Sequence, residues 1–144
     1  MARNGKLLVL SGDSIIPVDS ITNTAEPAMA IDNVNGLANA LSCSRVTDRA
    51  AVSVELKNMQ GGIMNVDVLN IIPGVHPPFI PLKAGGAYAD GPLCFDRLGN
   101  LYVADSGEEG FVAAIPASYL EAPESKKALI SQGFQHDRCR QQRS

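Results

Sequence analysis

Between Pro73 and Pro92 the chain carries five prolines (Pro73, Pro77, Pro78, Pro81, Pro92) and four glycines (Gly74, Gly85, Gly86, Gly91). Proline fixes φ and removes an amide donor, so no long helix or interior strand is expected to run through this stretch. Yet Val75, Phe79, Ile80 and Leu82 lie within it, and a free loop has no use for such side chains. Two arrangements answer both facts. The segment is an extended arm lying on a neighbour's surface, or it folds back over its own sheet.

The rest of the chain must then supply most of the fold, and its patterns predict strands. Lys6 to Leu10 is a short apolar run that breaks at Ser11-Gly12-Asp13-Ser14 and resumes as Ile15-Ile16-Pro17-Val18. Gly, Asp and Ser favour turns, so two strands joined by a turn are expected, with Pro17 placing the second at an edge. Ala28-Met29-Ala30-Ile31 reads as a further strand. From Asn33 to Leu41, Val34, Leu37 and Leu41 recur at spacings of three and four behind Asp32 and Asn33, which predicts a short capped helix. Ala51 to Leu56 alternates apolar and polar residues as a half-buried strand does. After a turn at 58–62, Ile63 to Ile72 predicts another strand with apolar residues on both faces. One face is expected to meet a core and the other something else.

Leu93-Cys94-Phe95 and Leu101-Tyr102-Val103 flank Asp96-Arg97-Leu98-Gly99-Asn100. A five-residue loop with Gly near its end fits a β-hairpin with a bulge. A polar turn over 105–110 leads to a last strand, Phe111 to Ile115. Ala117 to Ser131 predicts a broken helix, or a helix followed by a strand, because Pro123 interrupts it. The expectation is a mainly β chain: one small sandwich or barrel-like domain over 1–135 with one or two short helices, the arm or loop at 73–92, and a polar basic tail at 136–144. No internal repeat is present.

Composition narrows the function classes. The chain has 144 residues, enough for one domain with a real core, and 45% of them are hydrophobic. Only 5% are aromatic and none is Trp, so the core rests on Val, Ile, Leu and Ala. A net charge of −3 gives little reason to bind nucleic acid. No segment offers the roughly 20 apolar residues of a membrane span, and the start lacks a secretory h-region. Cys43, Cys94 and Cys139, odd in number and far apart, read as free thiols in a reducing compartment.

Candidate chemistry is sparse. His136 and Cys139, with Cys43 and Cys94, make one poor ligand pair rather than the two close pairs of a structural zinc site. Gly61-Gly62 and Gly85-Gly86 lack the context of a phosphate loop. Asp13, Asp96, Asp105 and Glu108 sit among turn formers, where carboxylates cap backbone amides. No catalytic residue, metal or cofactor is expected.

Leu8-Val9-Leu10-Ser11-Gly12-Asp13-Ser14 resembles the nucleophile block of the Gly-Asp-Ser lipases and esterases, which would make Ser14 the nucleophile. That family pairs it with a His preceded by an Asp three residues earlier. The two histidines here, His76 and His136, have Pro73 and Gly133 at that position. Phe95 to Gly107 resembles one repeat of the NHL-type or gluconolactonase-like β-propellers, but no second copy follows. Read more widely, Gly91 to Ile115 resembles phage capsid decoration (cement) proteins: apolar strand, Asp-x-x-Gly turn, apolar strand, Ala-Asp-Ser-Gly, and a strand ending in small apolar residues.

This last resemblance implies a β-rich virion protein, assembled in the host cytoplasm and commonly trimeric, that clamps neighbouring capsid subunits without chemistry. Its partners would be the major capsid protein and copies of itself. Val75, Pro78, Phe79 and Ile80 of the proline-rich segment are the expected assembly contacts. Other phage structural roles (tail tube, adaptor, fibre base), a Ser14 esterase and a ligand-binding barrel are the alternatives.

Overall fold

The computed structural model describes residues 1–12, 14–30, 36–56, 60–73, 75–84, 87–105 and 110–121. The chain is mainly β, with one short helix among the described residues. Its first sheet holds β1 (Lys6–Ser11), β2 (Ser14–Asp19), β3 (Thr24–Ala25) and β4 (Met29–Ala30). β1 and β2 form the expected hairpin, closed by the pair Ser11 and Ser14. Pro17, however, is not on an edge strand, because β2 pairs with β1 on one side and with β3 and β4 on the other. The missing donor does no harm there. Pro17 faces the break between β3 and β4, and its carbonyl accepts the Glu26 N–H at 2.8 Å.

The central sheet is antiparallel, in the order β5 (Gly36–Cys43), β6 (Arg49–Leu56), β7 (Gly61–Asp67), β8 (Phe79–Pro81). β5 replaces the helix predicted over 33–41; Asn33 to Asn35 lie outside the described residues. The cause is a bulge. Ala38 opposes Val54 and Ala40 opposes Ser53, so Asn39 is the extra residue and the faces switch there. Ala38 and Leu41, three apart, thereby share one face of a strand, a spacing that otherwise marks a helix. β7 stops at Asp67, short of the predicted Ile72. The Asp67 carboxylate accepts the Leu69 N–H at 3.1 Å and the Asn70 side-chain amide at 2.9 Å, which turns the chain.

Both faces of this sheet are covered by the chain itself. Ala50, Val52, Val54, Met64 and Val66 pack with Leu8, Ile15 and Met29 of the first sheet. Ala51 and Ile63 point the other way, into a second core with Leu101, Val103, Ala113 and Ile115. These belong to a third sheet, the predicted hairpin β11 (Leu93–Phe95) and β12 (Leu101–Ala104) continued by β13 (Val112–Ile115). The sandwich expected from sequence thus has three layers. Two cores let a chain poor in aromatics bury many aliphatic side chains, each Val, Leu or Ile worth about 1.5–3 kcal/mol when fully enclosed.

The proline-rich stretch is not a detached arm. Its short strands are β8 and the ribbon of β9 (Lys83–Ala84) and β10 (Ala87–Tyr88). β8 pairs with β7 as an edge strand, where Pro81 needs no outward donor. The close approach depends on glycine. A Cβ on Gly62 would run into the Ile80 carbonyl oxygen and lie 2.9 Å from Pro81 Cα. After Pro116, α1 (Ala117–Glu121) buries Tyr119 and Leu120 in the second core. The Asn65 side-chain amide fixes it by donating to the Leu120 carbonyl at 2.9 Å.

Candidate interaction surface

Successive residues of a strand point to opposite faces, and β8 applies this to two of the four expected contacts. Phe79, opposite Met64, packs against the first core and is half-buried; Ile80, opposite Ile63, enters the second core and is 3% exposed. Ile80 is therefore part of this chain's interior and is not open to a neighbour. The reason is the period of two: a strand paired with β7 must turn one of two adjacent apolar residues into each core. Val75 and Pro78 remain exposed, Val75 by 50%.

Val75 is not alone. The β5–β6 turn and the segment leaving β7 lie at the same end of the central sheet, since Arg49 opposes Asp67. The Val68 N–H donates to the Asp48 carbonyl at 3.0 Å and holds the two together. Arg3 joins them: its guanidinium donates to the Val46 carbonyl at 3.1 Å and lies 4.0 Å from the Asp48 carboxylate. Ile72 and Val75 flank a turn closed by the Val75 N–H on the Ile72 carbonyl at 3.1 Å. Val46, Leu69, Ile72 and Val75 are all exposed at this end. Leu98 (76% exposed) belongs with them, because its neighbour Gly99 lies against Thr47.

The Asp96 turn that carries Leu98 is tightly organised. The Asp96 carboxylate accepts the N–H groups of Leu98 at 2.8 Å and Asn100 at 2.9 Å, the Asn100 side-chain amide at 3.1 Å and the Tyr102 hydroxyl at 3.1 Å. Desolvation works against its charge, but the bonds from Asn100, Leu98 and Tyr102 outweigh it and hold the carboxyl below its ordinary value. Tyr102 moves the other way, raised by desolvation and then by Asp96. Gly99, at φ 86°, supplies the left-handed residue that the loop needs. Asn100 Oδ1 accepts the Ala117 N–H at 2.9 Å, which ties the turn to the start of α1. Each of these contacts is made within the chain, so the carboxylate acts as a structural cap.

The other candidates are scattered. Ser14 is the first residue of β2 in a hairpin, not the head of a strand–turn–helix unit. His76 is exposed in the β7–β8 connection; His136 and Cys139 lie outside the described residues. Cys43 is half-buried on β5, its thiol pushed up by burial, and Cys94 is exposed on β11. Among the described residues, no three His, Cys, Asp or Glu side chains gather as metal ligands would. No helix among them is long and apolar enough to cross a membrane.

Sequence reasoning singled out Val75 and Pro78 but missed Val46, Leu69, Ile72 and Leu98. Val46 and Leu98 sit in turns between strands, where a large aliphatic residue has no local role. That was the signal available. No family model and no curated protein matches the sequence.

Proposed function

We propose that this protein is a non-catalytic structural subunit that docks by its apolar end, and that it decorates and stabilises a phage-like capsid. The observation that carries the docking role is the exposure of Val46, Leu69, Ile72, Val75 and Leu98 in the turns at one end of a scaffold whose two cores are already filled, although Ile21 and Leu37 are exposed elsewhere. Exposed apolar patches of this kind mark association sites in soluble proteins. Burial of their surface contributes about 25 cal/mol per Å². Association costs offset much of this for one copy, so occupancy grows with many copies on a repeating lattice. The capsid, with its major subunit as partner, rests on the resemblance of Gly91 to Ile115 to decoration proteins. A subunit of a tail tube, adaptor or fibre base would use the same end.

Co-sedimentation with purified phage heads tests the reading. The wild-type protein pellets with the heads, and Ile72→Asp combined with Val75→Asp stays in the supernatant with an unchanged circular dichroism spectrum. Equal pelleting of both proteins, or of neither, would count against it.

A further inference from the structure

We propose that two copies of this chain dimerise by pairing their β1 strands edge to edge, antiparallel about a two-fold axis at Val9, which joins their first sheets into one. The hydrogen-bond parity of the first sheet defines the open groups. The carbonyls of Pro17 and Asp19 accept the N–H groups of Glu26 and Asn23 at 2.8 and 2.7 Å, so alternate residues of β2 direct their main-chain groups away from β1. Their partners in β1, Leu8 and Lys6, must then turn theirs away from β2, and Leu10 follows in step. The Lys6 carbonyl accepts the Ala2 N–H at 2.8 Å and the Lys6 N–H donates to the Asn4 side chain at 3.1 Å, so the open edge begins at Leu8. The outward main-chain groups of Leu8 and Leu10 have no partner among the described residues. Leu8 is only 7% exposed. A peptide unit so enclosed and left unpaired is costly, and an added strand satisfies it.

β1 lacks the features that keep edge strands from meeting their own kind. Such edges are commonly blunted by charge, proline or a bulge. In the central sheet, β8 carries Pro81 and β5 carries the bulge at Asn39. β1 instead pairs with β2 in unbroken register from Lys6 to Ser11 and holds no proline. Its one charged side chain, Lys6, is engaged by the Glu26 carboxylate at 2.7 Å. Residues 7–11, Leu-Leu-Val-Leu-Ser, are uncharged, so a second copy of the strand meets no like charge. Leu7 and Val9, on the outer face of the sheet, are 43% and 39% exposed.

The same parity fixes the register. Leu8 and Leu10 stand symmetrically about Val9, so an antiparallel second copy sets Leu8 against the partner's Leu10, and Leu10 against the partner's Leu8. Each of these pairs exchanges two N–H···O bonds. Val9 meets the partner's Val9 as the closer, non-hydrogen-bonded pair, with Cα atoms about 4.5 Å apart. Alternation sends the valines to the outer face and the leucines to the inner one. On the inner face Leu8 and Leu41, both of the first core, line a cleft of about 360 Å³ with Met1, Ser42, Cys43 and Arg45. The partner's Leu10 enters this cleft beside Leu8. A second copy is therefore the occupant, since β1 itself supplies the peptide groups its edge needs and the apolar side chain its cleft accepts. None of Val46, Leu69, Ile72, Val75 and Leu98 takes part, so the dimer stands apart from the docking role proposed above.

Light scattering and thiol cross-linking of the full chain test the dimer without any capsid. At about 0.1 mM, where even a micromolar pair is mostly associated, the wild-type protein scatters as a dimer. Val9→Lys, a change at an exposed position, scatters as a monomer with an unchanged circular dichroism spectrum. Under mild oxidation Val9→Cys forms a disulfide between the two introduced thiols, identified by peptide mass spectrometry, because Cα atoms about 4.5 Å apart lie within disulfide reach. Leu7→Cys, which the register sets against the partner's Ser11, does not. Should Val9→Lys fail to fold, the two cysteine variants decide the matter. A wild-type monomer at this concentration overturns the proposal. So does a dimer that survives Val9→Lys, or cross-linking of Leu7→Cys as extensive as that of Val9→Cys.

Discussion

Ile80→Ala and Val75→Ala, made separately, distinguish an interior role from a surface role within one proline-rich segment. Ile80 is 3% exposed in the second core, opposite a fully buried Ile63. Truncating a buried isoleucine to alanine costs about 2–5 kcal/mol, through lost transfer energy and the cavity left behind. β8 is a three-residue edge strand that can settle into part of the void, which puts the cost near the lower end, about 2–3 kcal/mol. Val75 is half exposed, and its truncation should change stability by less than about 0.5 kcal/mol. For a chain of this length each kcal/mol moves Tm by about 3–5 °C, so Ile80→Ala should melt about 6–15 °C lower and Val75→Ala within about 2 °C of wild type. Urea unfolding followed by circular dichroism gives the free energies. Equal effects of the two substitutions, or a loss under about 0.5 kcal/mol for Ile80→Ala, would refute the assignment of Ile80 to this chain's own core.

Gly62→Ala should push β8 off β7, because the new methyl group meets backbone that cannot rotate away; faster amide exchange at Ile80 and Leu82 would register it. Asp96 has a folded pKa below its ordinary value of 3.8, so its contribution is fully present above that value and lost as pH falls through the folded one. Urea midpoints measured at about pH 5 and about pH 2.5 should therefore drop less in Asp96→Asn than in wild type. Cys94 is exposed whereas Cys43 is half-buried with a raised thiol pKa, so at neutral pH iodoacetamide should label Cys94 at least about tenfold faster, as read by peptide mass spectrometry.

The elements legible in the sequence are those whose side chains alternate without interruption. Val52, Val54 and Leu56 announce β6 as a strand, though not its burial on both faces, since Ser53 on the face read as polar is fully buried; the Asp96–Asn100 loop announces the β11–β12 hairpin, because turn chemistry and period agree. β5 was not legible, since the bulge at Asn39 gives two strand faces the spacing of one helix face. Pro17 misleads for a different reason: its tolerance inside β2 depends on a break between β3 and β4 that no local pattern reveals. The apolar residues of the proline-rich segment were visible, but their destination was not. Only the pairing of β8 with β7 decides that Phe79 and Ile80 fill two cores while Val75 stays outside. The apolar end is likewise formed by turns distant in sequence, brought together by the Val68–Asp48 backbone bond.

That the protein fills two cores on opposite faces of one sheet from its own chain, before any partner binds, is open to a direct measurement. In a methyl- and aromatic-labelled monomer, nuclear Overhauser contacts should connect Ile80 with the Leu101 and Ile115 side of the central sheet, and the Phe79 ring with the Val52 and Met64 side. An Ile80 methyl group without such contacts in the monomer, or one that gains them only on assembly, would contradict the account.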